Sequence, residues 1–265
     1  MEKITNANEA LEWFNQTYQL EQINTTTENK CETVIVDQSA KHDVIEPKKQ
    51  KSKRQINWDE KYRPQTLSEI ILPLNMAKYF TNVIKHGDTP NLGLFSKMPG
   101  TGKSSLVNIL KNELLFEALD VNASSDRGID FMRDVVKRFT ELSNFFEQIR
   151  YVVFEESDQL TQEAQKLLKQ QIEKVNNKCQ FIFTANDISK LDKAVLSRLE
   201  VFDLDDEFAK DKAYVQPLMI KKLMQIAKLE QCDVEQSVIE SIVSKRYPSM
   251  RNMTLDLKKH CRSYC

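Results

Sequence analysis

Glycine is scarce in this chain: 5 of 265 residues, about 2% where an average sequence carries roughly 7%. A backbone with so few permissive positions, and with only 7 prolines, is mostly regular structure, which excludes collagen-like and glycine-linker classes. Long hydrophobic runs are missing too. No stretch of about 18 apolar residues occurs, and Met1-Glu2-Lys3-Ile4-Thr5-Asn6 lacks the basic-then-apolar order of a secretory signal. These absences predict an intracellular, cytoplasmic chain with no membrane partner. Cysteine is sparse and scattered: Cys31, Cys179, Cys232, Cys261 and Cys265 show no Cys-x-x-Cys spacing. Ordinary reduced thiols are therefore expected, rather than a disulfide framework or a structural zinc. Cys261 and Cys265 share a helix face beside His260, which is only a weak metal signal. Charge of one sign is lacking as well. The 38 basic and 39 acidic residues leave −1, so bulk charge does not bind nucleic acid and any DNA contact needs a local basic surface.

What is present is a core-forming composition, 40% hydrophobic and 29% charged, in a length that suits one to two domains. Residues 1–55 read as a partly disordered N-terminal extension. They hold one amphipathic stretch with Leu11, Phe14 and Tyr18 at helical spacing and one apolar run, Val34-Ile35-Val36. The extension closes with Pro47-Lys48-Lys49-Gln50-Lys51-Ser52-Lys53-Arg54. This run reads as a solvated linker, a DNA-phosphate contact or a nuclear-import signal.

Residues 56–204 alternate strand, turn and helix. Strand-length apolar runs occur at Leu92–Phe95, Ala118–Val121, Tyr151–Phe154, Phe181–Phe183 and Val201–Leu204, with helix-period segments between them. That alternation predicts an α/β fold, a parallel sheet covered by helices on both faces. Residues 205–265 show no strand pattern and read as a small all-α unit of three helices, near 208–230, 234–246 and 249–264.

Two of the glycines stand in Pro99-Gly100-Thr101-Gly102-Lys103-Ser104, directly after the first strand and before the helical run from Ser105. Backbone N–H groups of such a loop and the following helix N-terminus surround phosphate oxygens. Lys103 places a cation at the β/γ-phosphates, and the Ser104 hydroxyl serves Mg²⁺. Lys97 occupies the position where the usual G-x-x-x-x-G-K-[ST] pattern has its first glycine, so a changed approach of the chain to the loop is expected there. At the end of the third strand, Tyr151-Val152-Val153-Phe154 runs into Glu155-Glu156-Ser157-Asp158. This places adjacent carboxylates at the sheet edge where open α/β sheets bind ligands. One suits a hydrated Mg²⁺ and the next suits the attacking water; charge at a strand end also serves plain solvation.

These residues, with four further stretches, resemble the AAA+ clamp-loader ATPases, namely the replication factor C small subunits and the large subunit of T-even-type phage clamp loaders. Trp58-Asp59-Glu60-Lys61-Tyr62-Arg63-Pro64 is similar to the family's opening motif near the adenine. Asn122-Ala123-Ser124-Ser125-Asp126-Arg127-Gly128-Ile129-Asp130 is similar to its Asn-Ala-Ser-Asp-x-Arg-Gly-Ile-Asp signature. Ala164-Gln165 with Glu173 resembles the helix linking DNA sensing to the ATP site, and Leu196-Ser197-Arg198 resembles the Ser-Arg-Cys box. Ile70-Ile71-Leu72-Pro73 and Thr184-Ala185-Asn186-Asp187 lean towards the phage branch.

The resemblance implies an AAA+ P-loop NTPase with a parallel five-stranded sheet over residues 56–204, followed by a helical lid over 205–265. ATP and Mg²⁺ are its implied cofactors. A sliding clamp, other clamp-loader subunits in a hetero-oligomer, and primer–template DNA are its implied partners; if viral, the chain works in the host cytoplasm. Carried over by motif, Tyr62, Arg63, Pro99, Gly100, Thr101, Gly102, Lys103, Ser104 and Ser105 hold the nucleotide, with Ser104 and Glu155 on the metal side. Glu156 polarises water and Asn186 helps to hold it. Arg198 is the arginine finger for a neighbouring subunit's γ-phosphate, and Arg251 reaches back from the lid.

Each residue has a plainer reading: Asn186 as a turn residue, Arg198 as a helix-end cation, Arg251 as a first-turn charge opposed by the helix dipole. An anion would compensate Arg251. The chain departs from the family pattern at Glu155, where an Asp is usual, at Leu199, where a Cys is usual, and at Lys169-Gln170. It also stops at Cys265, where the family continues into a collar. After Asp130, Met132, Val135, Phe139 and Leu142 read as a core-facing helix stripe, with Val136 in the same helical stretch, and Phe145-Phe146 as an exposed anchor for the clamp. The expectation is an ATP-hydrolysing clamp-loader subunit. Its rivals are a nucleotide-responsive assembly factor with weak hydrolysis and another AAA+ remodeller such as a helicase loader.

Overall fold

The computed structural model describes residues 57–87, 89–126, 128–141, 150–175 and 179–263. The features expected at 11–18, 34–36 and 47–54, together with Leu142, Phe145, Phe146, Cys31, Cys265 and Arg127, lie outside the described residues. A short helix α1 (Trp58–Lys61) is followed by α2 (Leu74–His86), which buries Met76, Ala77, Phe80 and Val83 along one face. It ends at Gly87 in the left-handed region (φ 83°), whose N–H donates to the Val83 carbonyl at 3.0 Å.

Five parallel strands follow in the order β2-β3-β4-β1-β5: β1 (Leu92–Phe95), β2 (Ala118–Asn122), β3 (Arg150–Glu155), β4 (Cys179–Ala185) and β5 (Glu200–Asp203). The parallel sheet expected from the alternating runs is present. Side chains alternate across it. Tyr151 and Val153 of β3 join Ile182 of β4 in one core with α2 and with α3 (Lys103–Leu114). Val152 and Phe154 join Phe181 and Phe183 in a second core with α4 (Gln162–Lys174). Both faces are buried, which is why the two central strands are continuously apolar.

Three expectations are corrected. The segment after Asp130 is helical but not uniform: α-helix at Ile129–Phe131, a π-helix at Met132–Val136 and α-helix at Lys137–Glu141. The wider π turn puts Val136, rather than Val135, into the core with Met132, and Val135 is exposed. The helix expected at 208–230 is two helices, α5 (Leu204–Lys210) and α6 (Lys212–Leu229). Asp203 starts α5 by accepting the N–H groups of Asp205 and Asp206, so Leu204 belongs to the helix and not to the strand. Asp211 leaves helical geometry (φ −103°, ψ 22°), and its Oδ2 accepts the Leu74 N–H at 2.8 Å.

The chain finishes with α7 (Gln236–Arg246) and α8 (Met250–Ser263), separated by a cis Tyr247–Pro248 bond. Helices α6, α7 and α8 pack on one another, and their Met219, Leu223, Ile226, Ile239, Val243, Met253 and Leu257 share one core with Leu94 and Leu106. The third correction concerns cysteine: Cys232 and Cys261 form a disulfide, with their Cα atoms 5.7 Å apart. They stand 29 positions apart in sequence, one just past α6 and one on α8, and only the packing of those helices brings them together. Cys179 is buried, and that burial pushes its thiol up to about 12. Among the described residues, no helix is long and apolar enough to cross a membrane.

Candidate active site

A cleft of about 300 Å³ is lined by the ends of β3 and β4, the loop after β1, α1, and residues of α5, α6 and α8. In the loop, Gly100 and Gly102 take φ values of 79° and 102°, a region that side chains rarely enter. Gly100 is constrained twice. A Cβ there would stand 2.6 Å from Arg251 Cβ and 2.8 Å from Ser249 Oγ, so the helical segment approaches the loop as closely as a glycine permits. Ser249 Oγ also donates to the Pro99 carbonyl at 2.7 Å. Lys97 is not among the described non-glycine residues with positive φ, so no glycine geometry is required at that position. Its N–H is held at 2.7 Å by Asp205 Oδ2, and Asp205 Oδ1 accepts the Ser96 hydroxyl at 2.7 Å. This carboxylate fixes the start of the loop in the presence of lysine.

Lys103 opens α3 and reaches back, donating to the Ser96 carbonyl at 2.9 Å and to Asn186 Oδ1 at 3.0 Å. Burial lowers its ammonium pKa below the ordinary 10.5, with Asp205 and Asp158 opposing the change and Arg251 adding to it. A desolvated cation with two neutral acceptors gains when phosphate oxygens approach. Thr101 is buried, whereas Ser104 and Ser105 are half-buried. Ser105 Oγ accepts from Arg63 Nε at 3.3 Å.

Glu155 ends β3, and Glu156 follows in a left-handed conformation (φ 53°, ψ 41°), costly for a residue with a Cβ. The next turn is tied to the end of β4. Ser157 Oγ donates to the Thr184 carbonyl at 3.0 Å, and buried Asp158 accepts the Asn186 N–H at 3.2 Å. These bonds join the turn after Glu156 to the end of β4, and Glu156 and Asn186 both line the cleft. Among the described residues no group of three or more His, Cys, Asp or Glu side chains could hold a metal alone. Mg²⁺ is usually held by one or two carboxylates together with substrate phosphates and waters. Glu155, Glu156 and the Ser104 hydroxyl, facing one cleft with the phosphate loop, fit that donor set.

Arg251 lies in the first turn of α8, is exposed and lines the cleft; it has no ion pair among the described residues. Tyr62 and Arg63 line the cleft too. The Tyr62 hydroxyl and Lys61 Nζ both donate to Glu230 Oε1 at 2.7 Å, tying the end of α1 to the end of α6. Burial and the bond to Glu230 raise the Tyr62 pKa. Arg198 does not line this cleft: its guanidinium pairs with Glu173 and with the Ala194 carbonyl. Gln165 is buried with its amide satisfied by the Leu160 and Lys190 carbonyls and the Asp192 N–H.

Sequence reasoning missed Asp205, Asp158, Ser249 and Glu230, which position the site through contacts between distant segments. Only Asp158 carried a local signal, as the last acidic residue of the run after β3. Asp59, whose Oδ1 is buried without a hydrogen-bond partner, was also missed.

Comparison with known proteins places the chain in a family. Residues 94–204 match the family model described as "ATPase family associated with various cellular activities (AAA)". A replication factor C small subunit of Methanococcus maripaludis is 33% identical over 200 residues, covering 73% of this chain and 61% of the relative. Replication factor C subunit 4 of Saccharomyces cerevisiae is 31% identical, covering 77% and 63%. The sliding-clamp-loader large subunit of Enterobacteria phage T4 is 30% identical, covering 76% and 64%. The chain therefore spans between 61% and 64% of the length of these three relatives. Among solved structures, a variant of RuvB from Thermotoga maritima superposes with a TM-score of 0.59 at 19% identity, covering 74% of this chain and 64% of that one. At that identity the likeness concerns the fold alone.

Proposed function

Because the chain carries an ATPase domain of the AAA family over residues 94–204, with clamp-loader subunits among its relatives, we propose that it binds and hydrolyses ATP as a subunit of a DNA sliding-clamp loader. The observation that carries the reading is the convergence of Lys103, Ser104, Glu155, Glu156, Asn186 and Arg251 on one cleft. Glycines 100 and 102 let backbone N–H groups meet the phosphates. Lys103 moves from its two neutral acceptors to the β/γ-phosphates, and Arg251 adds a cation from the lid side.

When bound, Mg²⁺ neutralises charge developing on the phosphate oxygens; Glu155 and Ser104 are the residues to hold it. Glu156, anchored by the turn that follows it, accepts a proton from the attacking water, and Asn186 keeps that water in line. Residues 205–265 serve as a lid. Arg198, lying outside this cleft and paired with Glu173, reaches a neighbouring subunit's γ-phosphate by exchanging that carboxylate for the phosphate. In this reading the partners are a sliding clamp, other loader subunits and primer–template DNA, and the work is done in the cytoplasm, that of the host if the chain is viral. A slower relative of this activity, an assembly factor that binds ATP and barely hydrolyses it, is favoured by one feature: Glu155 carries one methylene more than the usual Asp.

The test is ATP turnover with and without a sliding clamp and primed DNA. Turnover stimulated by both, and lost with ATP binding in Lys103→Ala, is the expected result. A wild-type protein that binds no ATP, or turnover indifferent to clamp, DNA and the Lys103→Ala change, would overturn the proposal. Tight binding with negligible single-turnover hydrolysis would select the assembly factor.

A further inference from the structure

The Cys232–Cys261 disulfide joins the two elements that hold α1 against the cleft. Cys232 is placed by the end of α6. Gln231 takes the left-handed region (φ 55°); its N–H donates to the Lys228 carbonyl at 3.1 Å, and the Cys232 N–H donates to the Ala227 carbonyl at 2.9 Å. These are the paired bonds of a Schellman turn, which fixes Cys232 relative to the helix. Glu230 stands in the same turn and accepts Lys61 Nζ and the Tyr62 hydroxyl, both at 2.7 Å. Cys261 stands on α8, three positions after Lys258 and so on the same helix face. Buried Lys258 donates to Asn57 Oδ1 at 3.4 Å. Asn57 immediately precedes α1 and Tyr62 immediately follows it, so the start of that helix is held from α8 and its end from α6. The disulfide closes the figure by joining α6 to α8. Two sides of the figure reach the nucleotide cleft. Tyr62 and Arg63 line it from the end of α1, and the first turn of α8 carries Arg251 against Gly100 of the phosphate loop.

Resting on the ATP-binding reading, we propose that Cys232–Cys261 is a thiol–disulfide exchange site, opened by a dithiol and re-formed by the corresponding disulfide, whose oxidised state holds the cleft in its ATP-binding shape. Cys232 is half-buried between exposed Gln231 and Asp233, whereas Cys261 is buried, so an attacking thiolate meets Cys232 Sγ. A bond forms between that sulfur and the dithiol while the Cys232–Cys261 bond breaks. Its electron pair leaves on Cys261, which takes a proton. The second thiolate of the dithiol then displaces Cys232, which is protonated in turn. The dithiol has become a disulfide, and its two electrons and two protons reside on two protein thiols. In the cytoplasmic setting of the proposed function, such a bond is a state that changes and not a permanent staple. Once it opens, Glu230 and Lys258 are no longer covalently tied through their helices, α1 loses the fixed spacing of its two anchors, and ATP is held less tightly.

The test is ATP affinity of the full chain equilibrated with reduced and oxidised dithiothreitol at set ratios. Oxidised wild type is expected to bind ATP about 5-fold or more tightly than reduced wild type, the lower end of ordinary coupling between two sites. Cys232→Ser and Cys261→Ser should both match reduced wild type in either buffer, whereas Cys31→Ser combined with Cys265→Ser should keep the full response. Coupling is reciprocal, so saturating ATP should make the disulfide harder to reduce by the same factor, read as a shift in the dithiothreitol ratio at half-reduction. A bond that merely staples the fold gives no such shift. Equal ATP affinity in the two states, or a half-reduction ratio indifferent to ATP, overturns the proposal while the ATP reading stands. A response that survives in Cys261→Ser, or a thiol count showing Cys232 and Cys261 still reduced in oxidised dithiothreitol, overturns it as well. Loss of the helical circular dichroism on reduction at the assay temperature makes the bond a staple and also overturns it. No ATP bound in either state overturns the ATP reading, and this proposal with it.

Discussion

The phosphate end of the cleft and its other end, called the lid end after the role proposed for residues 205–265, differ in how far along the chain their parts are gathered. At the phosphate end each group lies at, or a few residues past, a strand end. Lys103 follows β1, Glu155 closes β3 and Asn186 comes directly after β4. The parallel ladder that pairs Leu94 with Thr184 and Phe154 with Phe183 fixes those ends relative to one another. The lid end is assembled by contacts between segments 137 to 201 positions apart: Leu74 to Asp211, Pro99 to Ser249, Tyr62 to Glu230 and Asn57 to Lys258. One end inherits its geometry from the sheet and the other from a few side-chain bonds laid over a shared core. In the proposed reading, chemistry that needs fixed distances belongs at the first, and opening and closing around a ligand belongs at the second.

The sharpest way to break this comparison lies at the phosphate end. Glu156→Gln keeps shape and hydrogen bonding but removes the proposed base, so single-turnover hydrolysis should fall by about 10²–10⁴-fold while ATP affinity is retained. An equal loss of binding would mean that Glu156 acts on the ground state. Next in size is Gly100→Ala at the seam. The left-handed backbone alone costs about 1–2 kcal/mol with a Cβ, and the new methyl meets Arg251 and Ser249. Thermal stability should drop, and ATP affinity should drop with it. An equivalent Ala at Gly87, which has positive φ but open space around it, should affect stability alone.

The smallest effect belongs to the lid end. Burial pushes the Glu230 carboxyl up, but bonds from Lys61 and Tyr62 outweigh that and leave it below the ordinary 4.5. A carboxylate depressed on folding contributes stability that is present above its unfolded pKa and lost as pH falls through the folded one. The Glu230 contribution should therefore be intact above about pH 4.5 and fade below it. The Tyr62–Glu230 coupling, from a double-mutant cycle of Tyr62→Phe and Glu230→Gln, should be about 1 kcal/mol at pH 7 and smaller at pH 3. A coupling independent of pH would show that the charge on Glu230 is not what holds α1 to the lid.

Much of the phosphate end was legible because its cause is local. Glycines at 100 and 102 with lysine at 103 need only the strand before them and the helix after them. Glu155 and Glu156 need only the apolar run that precedes them. The partner of Lys97 was not legible: its N–H is held by Asp205, 108 positions away, and no local pattern pairs them. The break at Asp211 was hidden for the same reason, since the donor that holds its side chain is the backbone of Leu74. The Val135 to Val136 exchange was hidden because a π turn changes the angular step that every periodicity argument assumes.

By itself, then, the order of residues determined the strands, the phosphate loop and the acidic strand end. Backbone propensity, side-chain periodicity and glycine permissiveness act over a handful of positions. Only the tertiary structure decided which residues of α8 and its approach meet the loop, that Cys232 and Cys261 are joined, that Arg198 lies outside the cleft lining and pairs with Glu173, and that one oxygen of Asp59 is left buried without a donor. Each of these depends on which distant surfaces are packed together, and an unpaired buried atom exists only once every possible partner has been placed.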